Sequence, residues 1–137
     1  MSKPIGYWVK RLDAALEAQF DHTLARVRLS RRQWQALNTL AGDPLLPAEL
    51  EEALLPLWGG DVRLRERELA ALVGHGMITM VDDRLTLSGK GRETYHQALR
   101  LVEETRIDLS MGIGLDEYAM AVSVLERMSR NAERLSR

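Results

Sequence analysis

A chain of 137 residues, 45% hydrophobic and 28% charged, is long enough for one domain with a buried core and has an ordinary globular composition. A formal net charge of −1 excludes retention on nucleic acid by bulk positive charge, so any such contact must come from a local patch. The absence of cysteine excludes disulfides, thiolate metal sites and cysteine-based redox sensing.

No apolar run approaches the roughly 20 residues that span a bilayer. The start, M-S-K-P-I-G-Y-W, lacks an apolar stretch of signal-peptide type, so a cytoplasmic protein is expected. Pro4 suits the first turn of a helix. From there Ile5, Trp8, Val9, Leu12, Leu16, Phe20, Leu24 and Val27 form one apolar stripe, with Lys10, Asp13, Glu17 and Asp21 off it. A first helix this long either runs through its own core or packs against a second copy of the chain.

Ser30 can cap the next helix, in which Trp34, Leu37 and Leu40 share a face and Ala41-Gly42 mark the end. Asp43-Pro44 is a break. Pro47 can open a third helix carrying Leu50, Leu54, Leu55 and Leu57, with Glu49, Glu51 and Glu52 near the positive end of its dipole. Pro56 and Gly59-Gly60 are expected to end it near Trp58. Asp61 can cap a fourth helix, which holds Arg63, Arg65 and Arg67 and then the stripe Leu69, Leu72 and Val73. Extending that stripe backwards puts Arg65 on the core side, so the helix is expected to begin later or to bend there. Gly74 and Gly76 stop it.

Met77 to Val81 and Arg84 to Leu87 match across Asp82-Asp83. A two-residue loop there pairs Met80 with Leu85 and Ile78 with Leu87 on one face, and Thr79 with Thr86 on the other. Ser88 can cap the exit helix, striped by Tyr95, Leu99 and Val102. After the glycine-rich turn Met111-Gly-Ile-Gly114, a last helix carries Leu115, Tyr118, Val122, Leu125, Met128, Ala132 and Leu135. The reading is mainly α with a small β-hairpin wing: a winged helix-turn-helix with long helices at both ends.

The wing and its exit, G-M-I, short hairpin, L-T-L-S-G-K-G, resemble the G-L-V, hairpin, L-T-x-x-G pattern of the multiple-antibiotic-resistance-regulator (MarR) family. The segment L-S-R-R-Q-W-Q-A-L resembles that family's second helix, and I-G-Y-W-V-K-R-L-D its opening in actinobacterial members. The resemblance covers nearly the whole chain. It implies a single domain over residues 1–137, with dimerisation helices at 4–29 and 89–135 around a winged-helix DNA-binding part at 30–88. It further implies a homodimeric transcriptional regulator, a repressor, that binds a palindromic operator on double-stranded DNA.

Candidate DNA-binding residues are Arg63, Arg65 and Arg67 on the helix before the wing and Arg84 at the wing tip. Lys90 and Arg92 start the exit helix, and Arg31 and Arg32 start the second helix, where free backbone N–H groups also favour phosphate. Over residues 61–92 the six basic side chains face five acidic ones, so the patch is nearly balanced. The helix also lacks the Ser/Thr-rich start with which the family touches bases. The alternative is therefore a winged-helix dimer that has lost specific DNA reading and serves as a ligand- or protein-binding module. Tyr7, Trp8, Arg11, His22 and Trp34 combine aromatic faces with polar tips; the family resemblance implies a small anionic aromatic effector, for which they are candidates, or else they are core and surface residues. His22, His75 and His96 lack metal-ligand spacing, and Ser88 lacks a nucleophile elbow. No metal, cofactor or catalytic residue is expected, and no enzyme.

Overall fold

The structure is a computed structural model that describes residues 2–137. The described residues form six α-helices and one antiparallel hairpin. These are α1 (Ile5–Leu24), α2 (Arg31–Gly42), α3 (Pro47–Trp58), α4 (Val62–Gly74), β1 (Ile78–Val81), β2 (Arg84–Leu87), α5 (Gly89–Leu109) and α6 (Leu115–Leu135). A short 3-10 turn, Ala25–Val27, closes α1, and Arg28 with φ 60° breaks the chain away from it. Pro4 stands just outside α1 as its N-cap rather than inside its first turn. Two compact units result, one ending at Thr105 and one spanning Arg106–Arg137.

The first unit contains the core. Leu24, Leu37, Leu50, Leu54, Leu72 and Val102 are essentially sealed from solvent, one or two from each of α1 to α5. Burying a side chain of this size stabilises the fold by about 1.5–3 kcal/mol. Local signals place the helices around it. Ser30 accepts the Gln33 N–H, and the Gln33 side chain answers the Ser30 N–H, both at 3.1 Å, a reciprocal cap. Asp61 accepts the Leu64 N–H at 3.1 Å, and Ser88 accepts the Gly91 N–H at 3.0 Å. As expected, α3 ends at Trp58: Pro56 sits in its last turn, and Gly59 donates back to the Leu55 carbonyl at 2.9 Å.

The hairpin has the expected register: Ile78 faces Leu87, Thr79 faces Thr86, Met80 faces Leu85 and Val81 faces Arg84. Asp82 and Asp83 take φ 51° and 65°, as a two-residue loop of the right twist requires. Ile78 and Leu87 are buried at the base, while Met80 near the tip is exposed. Leu45 exchanges two hydrogen bonds with Leu85, at 3.0 and 2.7 Å, and so adds a one-residue antiparallel bridge to β2. At the exit, a Cβ on Gly91 would stand 1.9 Å from the Met77 carbonyl oxygen, so only glycine lets α5 pass β1 this closely.

The apolar stripe of α1 divides along its length. Phe20 and Leu24 are buried in the first unit, whereas Ile5, Trp8, Val9 and Leu12 are exposed. In the second unit, α6 has no buried residue at all.

Candidate nucleic-acid interface

Helix α4 starts at Val62, directly after its Asp61 cap, and does not begin late. The inward position of Arg65 is accommodated by its partner. Its Nη1 lies 3.1 Å from Glu51 Oε1 on α3, and the side chain is only 16% exposed. An arginine stem can line an apolar flank while its head meets an acid. Arg65 is therefore a strut between α3 and α4 in this structure. Val73, expected on the apolar stripe, is exposed, and Leu72 fills the core.

Arg63 and Arg67 are different. They lie one turn apart on the outward side of α4 and, with Asp61, Glu66 and Ala70, line an open concavity of about 600 Å³. Neither arginine has an ion pair among the described residues. The remaining candidates are divided in the same way. Arg84 on the wing reaches Glu49 Oε1 at 3.1 Å, with both side chains about half exposed. Lys90 donates to the His75 carbonyl at 2.8 Å, which ties the start of α5 to the end of α4. Arg92 and Arg32 are exposed. Arg31 is drawn inward, with Nη1 2.8 Å from Glu17 and 3.2 Å from Asp13 and its guanidinium over the Phe20 ring. Burial works against its charge. The hydrogen bonds and charges of Glu17 and Asp13 outweigh that, and the pKa rises above the ordinary arginine value. Arg31 thus joins α1 to α2.

The acidic partners Asp13, Glu17, Glu49 and Glu51 are the residues that sequence reasoning missed. Only Glu49 carries a local signal: it stands at the third position of α3, where it accepts the Leu46 N–H at 2.8 Å. The bonds from Arg31 to Glu17 and from Arg84 to Glu49 cross 14 and 35 residues, and no periodicity reports on them.

The effector candidates separate into a surface group and a core residue. Tyr7 and Trp8 meet edge to face at 5.1 Å, Arg11 lies over Trp8 at 5.5 Å and donates to the Tyr7 hydroxyl at 3.4 Å, all on the exposed part of α1. His22 is exposed near the other end of that helix. Trp34 is only 6% exposed and stacks on Tyr95 at 5.2 Å with a 10° tilt, while the Tyr95 hydroxyl donates to Asn38. Trp34 is a packing residue between α2 and α5, and the structure does not bring it to the α1 group. A separate groove of about 570 Å³ lies where α1, α2 and the end of α3 meet, lined by Asp13, Glu17, Arg31, Arg32, Gln35 and Leu57 among others. Among the described residues no helix is long and apolar enough to cross a membrane, and no cluster of His, Asp and Glu is placed to hold a metal ion.

Neither a protein-family profile nor a curated protein matches the sequence. Solved structures do match the fold. The transcriptional repressor CouR is 27% identical, with 93% of each chain covered and a TM-score of 0.77. The same repressor bound to p-coumaroyl-CoA is 28% identical, with 93% of this chain and 92% of that one covered and a TM-score of 0.76. MarR from E. coli in its reduced form shares the fold at 19% identity, with 93% and 95% covered and a TM-score of 0.75. So does a Mycobacterium tuberculosis MarR family protein in complex with DNA, at 20% identity, 93% and 98% coverage and a TM-score of 0.73.

Proposed function

We propose that this chain, a winged-helix protein of the MarR family, is a homodimeric transcriptional repressor that binds a palindromic operator through α4 and the wing. The observation that carries the reading is the outward face of α4, where Arg63 and Arg67 stand exposed and, among the described residues, without an ion pair, on the helix a winged helix offers to the major groove. Arg32, Arg84, Lys90 and Arg92 are assigned to phosphates. Arg84 is held beforehand by Glu49 and exchanges that partner on binding, whereas Lys90 spends one of its three donors on the His75 carbonyl and keeps the others for a phosphate. Arg31 and Arg65 act from behind, by fixing α1 on α2 and α3 on α4. None of these roles involves catalysis or a cofactor, and the protein works in the cytoplasm.

Residues 1–137 act as one MarR-like domain. Residues 4–29 and 89–135 join two copies, whose exposed apolar faces on α1 and α6 need cover, and residues 30–88 form the reading head. A two-fold dimer presents two heads to half-sites about one duplex turn apart. A change in their separation breaks that register, and a small anionic aromatic near Tyr7, Trp8 and Arg11 is the effector that would impose it. The bound form of CouR is a precedent for a repressor of this fold that takes an acyl ligand.

Fluorescence anisotropy with the DNA flanking the protein's own gene tests the reading. Specific binding is expected, with affinity falling by about 0.9 log units per log unit of salt for each phosphate neutralised. Equal, weak binding to scrambled duplex would instead favour a module that has lost sequence reading.

A further inference from the structure

We infer that α4 reads guanine–cytosine pairs, with Arg63 and Arg67 each taking a guanine edge and Glu66 taking a cytosine amino group. The inference rests on the reading of this chain as a DNA-binding protein and goes beyond it by naming the bases. Arg63, Glu66, Arg67 and Ala70 are spaced by three and four residues, so they share one face of the helix, and all four line the same concavity. Asp61, the fifth lining residue, is engaged by its cap hydrogen bond to the Leu64 N–H. Among the described residues, Arg63, Glu66 and Arg67 make no ion pair or side-chain hydrogen bond, so their polar ends are available to a ligand.

The choice of bases follows from donors and acceptors. Guanine presents two adjacent acceptors, N7 and O6, in the major groove, which suit the paired N–H groups of one arginine. Adenine presents one acceptor and one donor and needs an amide side chain for a two-point contact. The exposed residues of α4 are Val62, Arg63, Glu66, Arg67, Ala70, Val73 and Gly74, and none carries an amide or a hydroxyl. Glu66 can only accept. Facing the phosphates it would be repelled; facing the bases it meets the cytosine N4 donor. Its acidity, adverse to non-specific affinity, then becomes the source of discrimination. Ala70, one turn beyond, offers a methyl to thymine and no polar contact.

The experiment is enrichment of duplexes from a random library by the full-length protein, repeated with Arg67→Ala, Arg63→Ala and Glu66→Gln. Circular dichroism melting accompanies each variant. The expected wild-type motif has two-fold related halves, each with guanine–cytosine pairs. Replacing the contacted guanine by 7-deazaguanine should weaken binding about tenfold. Each arginine variant should lose preference at one pair per half-site without a change in melting, since both side chains are exposed. Glu66→Gln should move the preference at its position from cytosine toward adenine, because glutamine offers the amide that adenine requires. An enriched motif of adenine–thymine pairs, or one unchanged in all three variants, overturns the base assignment and leaves DNA binding intact. Wild-type protein that enriches no motif and binds no duplex overturns both.

Discussion

The head and the last helix were written in the same alphabet of apolar spacings, yet they reach different ends. In the head, Leu37 of α2, Leu50 and Leu54 of α3 and Leu72 of α4 meet one another and vanish from solvent. In α6, Tyr118, Val122, Leu125 and Met128 repeat at helical spacing just as regularly, and every one is at least 40% exposed. The first region closes on itself within one chain. The second presents a stripe whose burial must come from outside its own unit. An amphipathic pattern therefore reports only that a face will be covered, and does not report by what.

The largest effect should come from breaking the open region. Val122→Glu combined with Leu125→Glu puts two charges on the stripe proposed to meet a second copy. The expected outcome is loss of the dimer by light scattering and loss of the concentration dependence of melting. A double variant that stays dimeric would show that α6 is not the joining surface. Next comes the closed region. Leu54→Ala should cost about 2–5 kcal/mol in denaturant unfolding, since it leaves a cavity in a fully buried site. If the head is complete alone, that cost is the same in the α6 double variant, because distant sites add. A cost that disappears there would mean that the head depends on its partner.

Gly91→Ala probes the head at its tightest seam and should have a smaller effect. The added Cβ would overlap the Met77 carbonyl, which also accepts the Ser88 N–H at 3.0 Å. Forcing β1 and α5 apart should cost about 1–3 kcal/mol. The measurement is the shift in unfolding midpoint, and an unchanged midpoint would mean that the hairpin moves freely relative to α5.

Much of the head was legible because its signals are local. The length of the Asp82-Asp83 loop and the alternation on either side fix all four strand pairs, and Ser30, Asp61 and Ser88 announce three helix starts. Legibility ended where the answer depends on a distant group. Leu45 looks like loop until Leu85 arrives beside it. Arg65 looks misplaced until Glu51 is found opposite, and Trp34 is open between core anchor and ligand contact until Tyr95 stacks on it. The candidate site was legible as a list of arginines. Which of them face outward is decided by acids on other helices, and sequence spacing carries no trace of that.

The contrast between closed and open regions extends to charge. Three arginines of the head have acids on other elements: Arg31 with Asp13 and Glu17, Arg65 with Glu51, and Arg84 with Glu49. The ion pair of α6, Arg130 with Glu126, lies within its own helix. Glu49→Gln makes the smallest and most discriminating test of this self-sufficiency. Glutamine keeps an oxygen for the Leu46 N–H, so the start of α3 is preserved. It removes only the charge opposite Arg84, in a pair whose partners are each 47% exposed. Exposed pairs contribute about 0–1 kcal/mol, so melting should barely move. DNA affinity should rise about two- to fivefold, since Arg84 no longer leaves an acid in order to meet a phosphate. Unchanged affinity would place Arg84 permanently on α3 and remove the wing tip from the interface, leaving α4 and the starts of α2 and α5 to hold the duplex.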